Sequence, residues 1–181
     1  MKPLFIALLL AGATACHAQT DTISVSIWGM GDLTTGMSPE EVGNLLHQKI
    51  ALPRNAADKG PDTVFCQYRQ VDYMLVFTTR YFNLQKMNVF LAEIFCRSPK
   101  LKTLFGVHIG DDKQKVIDTY KSNRLFILPR NPGDSTSPYK GRALCKILYR
   151  DEQYSSRPIT FYLNNKDKVE SIGVNLVPMY Y

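Results

Sequence analysis

The residues able to do chemistry in this 181-residue chain are few and scattered. Beyond the first eighteen positions the histidines are His47 and His108. His47 follows Leu46 in a helical pattern, and His108 precedes a glycine turn. Neither carries a recognisable serine or cysteine nucleophile signature nearby. Asp111-Asp112 invites a cation reading. A calcium loop spreads its oxygen ligands along a longer motif, however, and a helix cap accounts for Asp112. Gly29-Met30-Gly31 lacks the third glycine and the strand-to-helix setting of a dinucleotide loop, so it reads as a turn after Trp28. Glu40 and Glu41 are acidic residues at a helix start, where the dipole favours them. The expectation is a chain with no catalytic residues, no metal site and no cofactor. A hydrolase would need a pair such as His108 with Asp111 or Asp112 brought together in a deep pocket.

The cysteines are Cys16, Cys66, Cys96 and Cys145, and no two show metal-ligand spacing. Cys16 belongs to the N-terminal stretch. Lys2, the apolar run Leu4 to Ala11 and the small residues Ala13-Thr14-Ala15-Cys16-His17-Ala18 together read as an export signal. The run is shorter than the roughly 20 residues that span a bilayer. Cleavage after Ala18 or after Ala15 both fit. Ala13 to Cys16 also resembles a lipobox, in which Cys16 would be lipidated. Export permits disulfides, but without Cys16 an odd count allows at most one bridge. Cys66 and Cys145 lie in strand-like runs, where a free cysteine commonly serves as a small apolar filler. The net charge of +6 is spread along the chain without a basic run. That argues against nucleic acid and leaves an anionic surface or an acidic partner open.

The elements that would position these residues come in an order that repeats. Leu52-Pro53-Arg54-Asn55 recurs as Leu128-Pro129-Arg130-Asn131. Gly36 and Val42 precede the first copy as Gly110 and Val116 precede the second. Cys66-Gln67-Tyr68-Arg69 follows the first as Ile147-Leu148-Tyr149-Arg150 follows the second. Ser38-Pro39-Glu40-Glu41 is a capping box with proline at the first helical position, and Met37 with Val42 forms a staple. Val42, Leu45, Leu46 and Ile50 make one apolar stripe, which Pro53 stops. In the second copy Asp112 caps, and Val116, Ile117 and Tyr120 face inward. Thr63 to Arg69, Asp72 to Thr79 and Asn88 to Cys96 read as strands. So do Ala143 to Arg150, Ile159 to Leu163 and Val169 to Leu176, with Asn164 to Asp167 as a hairpin turn. Ile23 to Trp28 and Leu101 to Ile109 are further strands, and Pro129 to Gly141 is a polar loop. The expected fold class is α+β. It comprises an export signal over 1–18 and two tandem repeats, 19–98 and 99–181. Each repeat is a short helix, or helix pair, followed by an antiparallel meander of three to four strands.

Alternation along the first meander puts Val64, Cys66, Tyr73, Leu75 and Ile94 on the face that meets the helix. The opposite face carries Phe65, Met74, Val76, Leu91 and Phe95, too apolar for a solvated surface. Either the second repeat covers it or it awaits a partner. Phe65, Met74, Val76 and Leu91 are therefore the candidate binding residues, with Arg54 and Arg130 in the two loops. Cys16 is the candidate lipidation site.

The glycine-led capped helix, Leu52-Pro53 with Leu128-Pro129, and the closing hairpin Ile159 to Leu163 with Lys168 to Ile172 carry a family resemblance. The tandem order resembles the β-lactamase inhibitory protein fold, and each single unit resembles the small lipoprotein of the outer-membrane β-barrel assembly machinery. The resemblance implies an envelope or inhibitor role exercised by protein–protein binding. The partner would be an envelope protein or a secreted enzyme, and membrane attachment would come only through a lipidated Cys16. It implies a disulfide in each unit, a pattern these cysteines do not repeat.

Overall fold

The computed structural model describes residues 22–52, 61–82, 86–128, 143–148 and 157–176. In chain order the elements are β1 (Ile23–Val25), β2 (Gly29–Met30), β3 (Leu33–Thr34), α1 (Pro39–Leu46), β4 (Asp62–Tyr68), β5 (Val71–Phe82), β6 (Lys86–Cys96), β7 (Leu101–Thr103), α2 (Lys113–Tyr120), β8 (Arg124–Leu128), β9 (Ala143–Leu148), β10 (Ile159–Leu163) and β11 (Val169–Asn175).

The fold is mostly β, and this overturns the expectation of two tandem helix-plus-meander repeats. Among the described residues there are two helices, and the strands sort into two sheets. One is four-stranded, in the order β3-β2-β1-β7. The other is seven-stranded, in the order β4-β5-β6-β11-β10-β9-β8. The longer strands form about where their composition places them, but Ile23 to Trp28 and Leu101 to Ile109 shorten to β1 and β7, Gly29-Met30 is a strand and not a turn, β3 and β8 are additional, and the grouping differs. A meander standing alone would leave β6 with an unpaired row of backbone groups. Here β6 pairs antiparallel with β11, Ile172 opposite Cys96 and Val174 opposite Ile94. Likewise β1 pairs in parallel with β7, Ile23 opposite Leu101. Both pairings tie the N-terminal half of the chain to the C-terminal half. The helices have eight residues each, about 12 Å, too short for either to cover a sheet alone.

α1 forms for the reasons its sequence announces. Glu41 N–H donates to Ser38 Oγ at 3.2 Å and Ser38 N–H to Glu41 Oε2 at 2.7 Å, closing the capping box. The Ser38 N–H, and after it the Ser38 hydroxyl, hold the Glu41 carboxyl below its ordinary pKa. The helix ends at Leu46, before Pro53, because His47 turns left-handed with φ 53°. Ile50 still packs on the core from beyond the helix. At α2 the Asp112 side chain makes no cap hydrogen bond. It pairs instead with Lys168 Nζ at 3.1 Å, on the turn that Asn164 Oδ1 organises by accepting from the N–H groups of Lys166 and Lys168.

The core lies between the helices and one face of the seven-stranded sheet, and a single apolar cluster joins all layers. Val42 comes from α1, Val116 and Tyr120 from α2, and Val25, Met30 and Leu101 from the small sheet. Leu75, Phe77, Leu91, Ile94, Phe161 and Ile172 come from the large one. Tyr120 reaches furthest, its ring tilted against Phe161 at 5.8 Å and edge-on to Phe105 at 5.5 Å.

Candidate binding face

Of the four candidate residues that are described, three fall on the face of the large sheet turned away from the helices. Phe65 on β4 stands opposite Met74 on β5, Met74 opposite Phe95 on β6, and Phe95 opposite Gly173 on β11. Val76 lies one pleat along from Met74 and is half-buried. Leu91 does not belong to this face. The register slips between Val76 and Phe77, so that Val76 opposes Glu93 while Phe77 opposes Leu91. Ala92 is the extra residue of a β-bulge, and beyond it every side chain of β6 changes sides. Leu91 therefore points into the core with no exposed surface, its N–H donating to the Met37 carbonyl and its carbonyl accepting from Gly36 N–H. Arg54, Arg130 and Cys16 lie outside the described residues.

Burial grades across the outer face. Phe65, on the edge strand, is 77% exposed, whereas Met74, Phe95 and Tyr162 are buried and pack together. Tyr162 of β10 earlier reads only as part of a closing hairpin, yet it anchors the cluster. Its ring meets Phe95 edge-on at 5.3 Å, and its hydroxyl donates to Glu93 Oε1 at 3.3 Å. Gly173 makes this possible. A β-carbon there would lie 3.1 Å from Tyr162 Cε2, so the bare backbone gives the ring room to lie across the neighbouring strand. The lone glycine inside an apolar strand was the sequence signal for such a close approach.

At the β4–β6 corner a cavity of about 660 Å³ is lined by Phe65, Cys66, Gln67, Asp72, Tyr73, Met74, Phe95, Cys96 and Arg97. Its rim is polar. Gln67 Nε2 donates to Asp72 Oδ1 at 3.0 Å, and the Arg97 guanidinium lies over the Phe95 ring at 5.6 Å. An apolar floor with a few fixed polar groups suits an apolar anchor side chain better than a charged substrate. The thiols of Cys66 and Cys96 turn from it to the core side of the sheet, with Tyr73, and are poor nucleophiles. Burial, then the charges of Asp72 and Cys96, raises Cys66 to about 11, and burial raises Cys96 to about 11. They do not pair. Cys66 and Cys96 both oppose Tyr73, one on each side of β5, so their α-carbons stand about 9.5 Å apart, beyond the roughly 7 Å a disulfide bridges. Cys145 opposes Phe161, which opposes Ile172, which opposes Cys96, and is further away still.

His108 and Asp111 do meet, Nε2 to Oδ1 at 3.4 Å. The arrangement holds a turn. Asp111 accepts from His108 N–H at 2.8 Å and pairs with Lys115 Nζ at 2.8 Å. Burial of Asp111 works against its charge, but the bonds from Lys115 and His108 outweigh it, and its pKa falls below the usual value. The cavity at the β4–β6 corner is lined by other residues. Among the described residues no group of three or more His, Cys, Asp or Glu is placed to hold a metal ion, and no helix is long and apolar enough to cross a membrane.

No protein-family model, curated protein or solved structure matches the chain.

Proposed function

We infer that this is an exported cell-envelope protein that works by binding another protein, as scaffold, assembly factor or inhibitor, without catalysis of its own. The observation that carries the reading is Phe65, a large aromatic 77% exposed on the edge strand of the sheet beside an apolar cavity. An edge strand offers backbone donors and acceptors to an incoming extended segment, and the cavity offers a pocket for one of its side chains. Such exposed aromatics commonly become binding hot spots. The test is a photo-crosslinking amino acid at position 65, with the products taken from the protein's own envelope and identified by mass spectrometry. One recurrent envelope partner supports a scaffold or assembly role, and a foreign or secreted enzyme supports inhibition. No crosslinked protein at all would overturn the reading.

The lipobox-like Ala13 to Cys16 favours a second version, a lipid-anchored structural lipoprotein of the envelope. Cys16→Ser would then release the protein from membranes, and unchanged fractionation would count against lipidation.

A further inference from the structure

The chain exposes another apolar feature at the end of β7, on the core side of the large sheet, where Phe105 meets Tyr120. Thr103 and Val107 are hydrogen-bonded partners, Thr103 N–H to Val107 O at 2.8 Å, and Gly106 N–H closes the turn onto Thr103 O at 2.9 Å. Gly106 has φ +86°, the left-handed residue that ends a three-residue hairpin loop. This geometry pushes Leu104 and Phe105 outward at the loop tip, where they are 71% and 57% exposed. Phe105 rests the edge of its ring on Tyr120, which stiffens the tip without hiding it. Leu104 has no such support, and its exposure has no role in the fold.

Two exposed lysines accompany the tip. Lys102 is exposed, with its Cε 4.0 Å from where a side chain at Gly106 would stand. Lys121 is exposed and directly follows Tyr120, the residue beneath Phe105. The nearest acidic residue along α2, Asp118, lies a turn back and accepts from Gln114 Nε2 at 3.1 Å. Two adjacent apolar side chains projecting from a turn, with the exposed Lys102 beside it and Lys121 next in sequence to the residue beneath Phe105, complement an anionic lipid surface. The apolar pair enters the headgroup–acyl boundary while the lysines, with flexible stems, face lipid phosphates.

We propose that the Leu104–Phe105 tip is a membrane-docking element that inserts into the surface of an anionic bilayer, with Lys102 and Lys121 supplying the charge preference. It does not depend on the protein-binding role. If Cys16 is lipidated, the tip is the second contact that a single acyl chain needs for stable attachment.

The test is co-sedimentation of the full chain with vesicles of phosphatidylglycerol and phosphatidylcholine in equal parts, against phosphatidylcholine alone. Any contribution of the apolar N-terminal run is common to all variants. Leu104→Ser should weaken binding to the anionic vesicles about tenfold without changing thermal stability, because the side chain makes little contact with the fold. Lys102→Gln with Lys121→Gln should remove the preference for anionic vesicles. Phe105→Trp, read as the difference from the parent and its single Trp28, should shift its emission to the blue and be quenched by brominated acyl chains. Unchanged binding by Leu104→Ser, equal binding to both vesicle types, or a tryptophan at 105 that stays open to aqueous quencher would each overturn the proposal. So would a protein crosslinked at 104 in place of lipid.

Discussion

Asp111 shows how much one carboxylate can organise. Its charge serves Lys115, the His108 ring and the His108 N–H together. Because its pKa is lower in the fold than in the unfolded chain, its contribution is present above the unfolded value and is lost as pH falls through the folded one. Asp111→Asn should therefore cost about 1 kcal/mol at neutral pH, with the gap to the parent closing below about pH 4; urea titrations at the two pH values would measure it. The thiols give a second expectation. With Cys66 and Cys96 both raised to about 11 by burial, alkylation near neutral pH should run about a hundredfold slower than for a free cysteine. Mass spectrometry should find neither of them bridged. A Cys66–Cys96 disulfide would contradict the register.

At the scale of elements, β6 carries the lesson about reading a sequence. Phe65, Met74 and Val76 could be placed on one face by counting alternate residues, since β4 and the first part of β5 pair without irregularity. Leu91 could not, because the bulge at Ala92 has no signature in an apolar strand and reverses the positions on one side of it relative to the other. Leu91→Ala should cost about 2–5 kcal/mol of stability, while Phe65→Ala should change it by less than about 0.5 kcal/mol and abolish partner capture by a crosslinking amino acid placed at the neighbouring exposed Thr63; thermal melts and that assay separate the two. The α1 capping box, the Asn164 turn and the longer strands were legible because they rest on short-range preferences, whereas Asp112 was drawn from its cap to Lys168 of another turn. The union of β6 with β11 was not, since edge pairing depends on backbone groups that every residue shares. Tyr162 was missed for a related reason: Phe95, the ring it packs against, comes from β6, and only the β6–β11 pairing brings the two within reach. The β4–β5 turn adds a local test. Arg69 and Gln70 both have positive φ, 50° and 60°, as a tight two-residue hairpin demands. Arg69 is tied to Asp32 at 2.8 Å, but Gln70 has only the strain. Gln70→Gly should stabilise the protein by about 0.5–1 kcal/mol, measurable as a shift in the urea midpoint at constant slope.

For the whole molecule, two strand pairings cross the middle of the chain, β6 with β11 and β1 with β7. One apolar cluster runs through both sheets and both helices. Heat or urea should therefore produce one transition, coincident by near- and far-ultraviolet circular dichroism. A fragment ending at residue 98 should show none. The place of β11 also bears on timing. It is the last described strand to leave the ribosome or a translocation pore, yet it sits in the middle of the sheet, flanked by β6 and β10. Until it arrives, the two earlier groups of strands have nothing to join them, and each waits with an open edge. A chain that cannot close until nearly all of it has emerged stays threadable for as long as its passage lasts. In the exported protein proposed above, the hazard moves to the far side of the pore, where pairing with the wrong strand competes with the arrival of the right one.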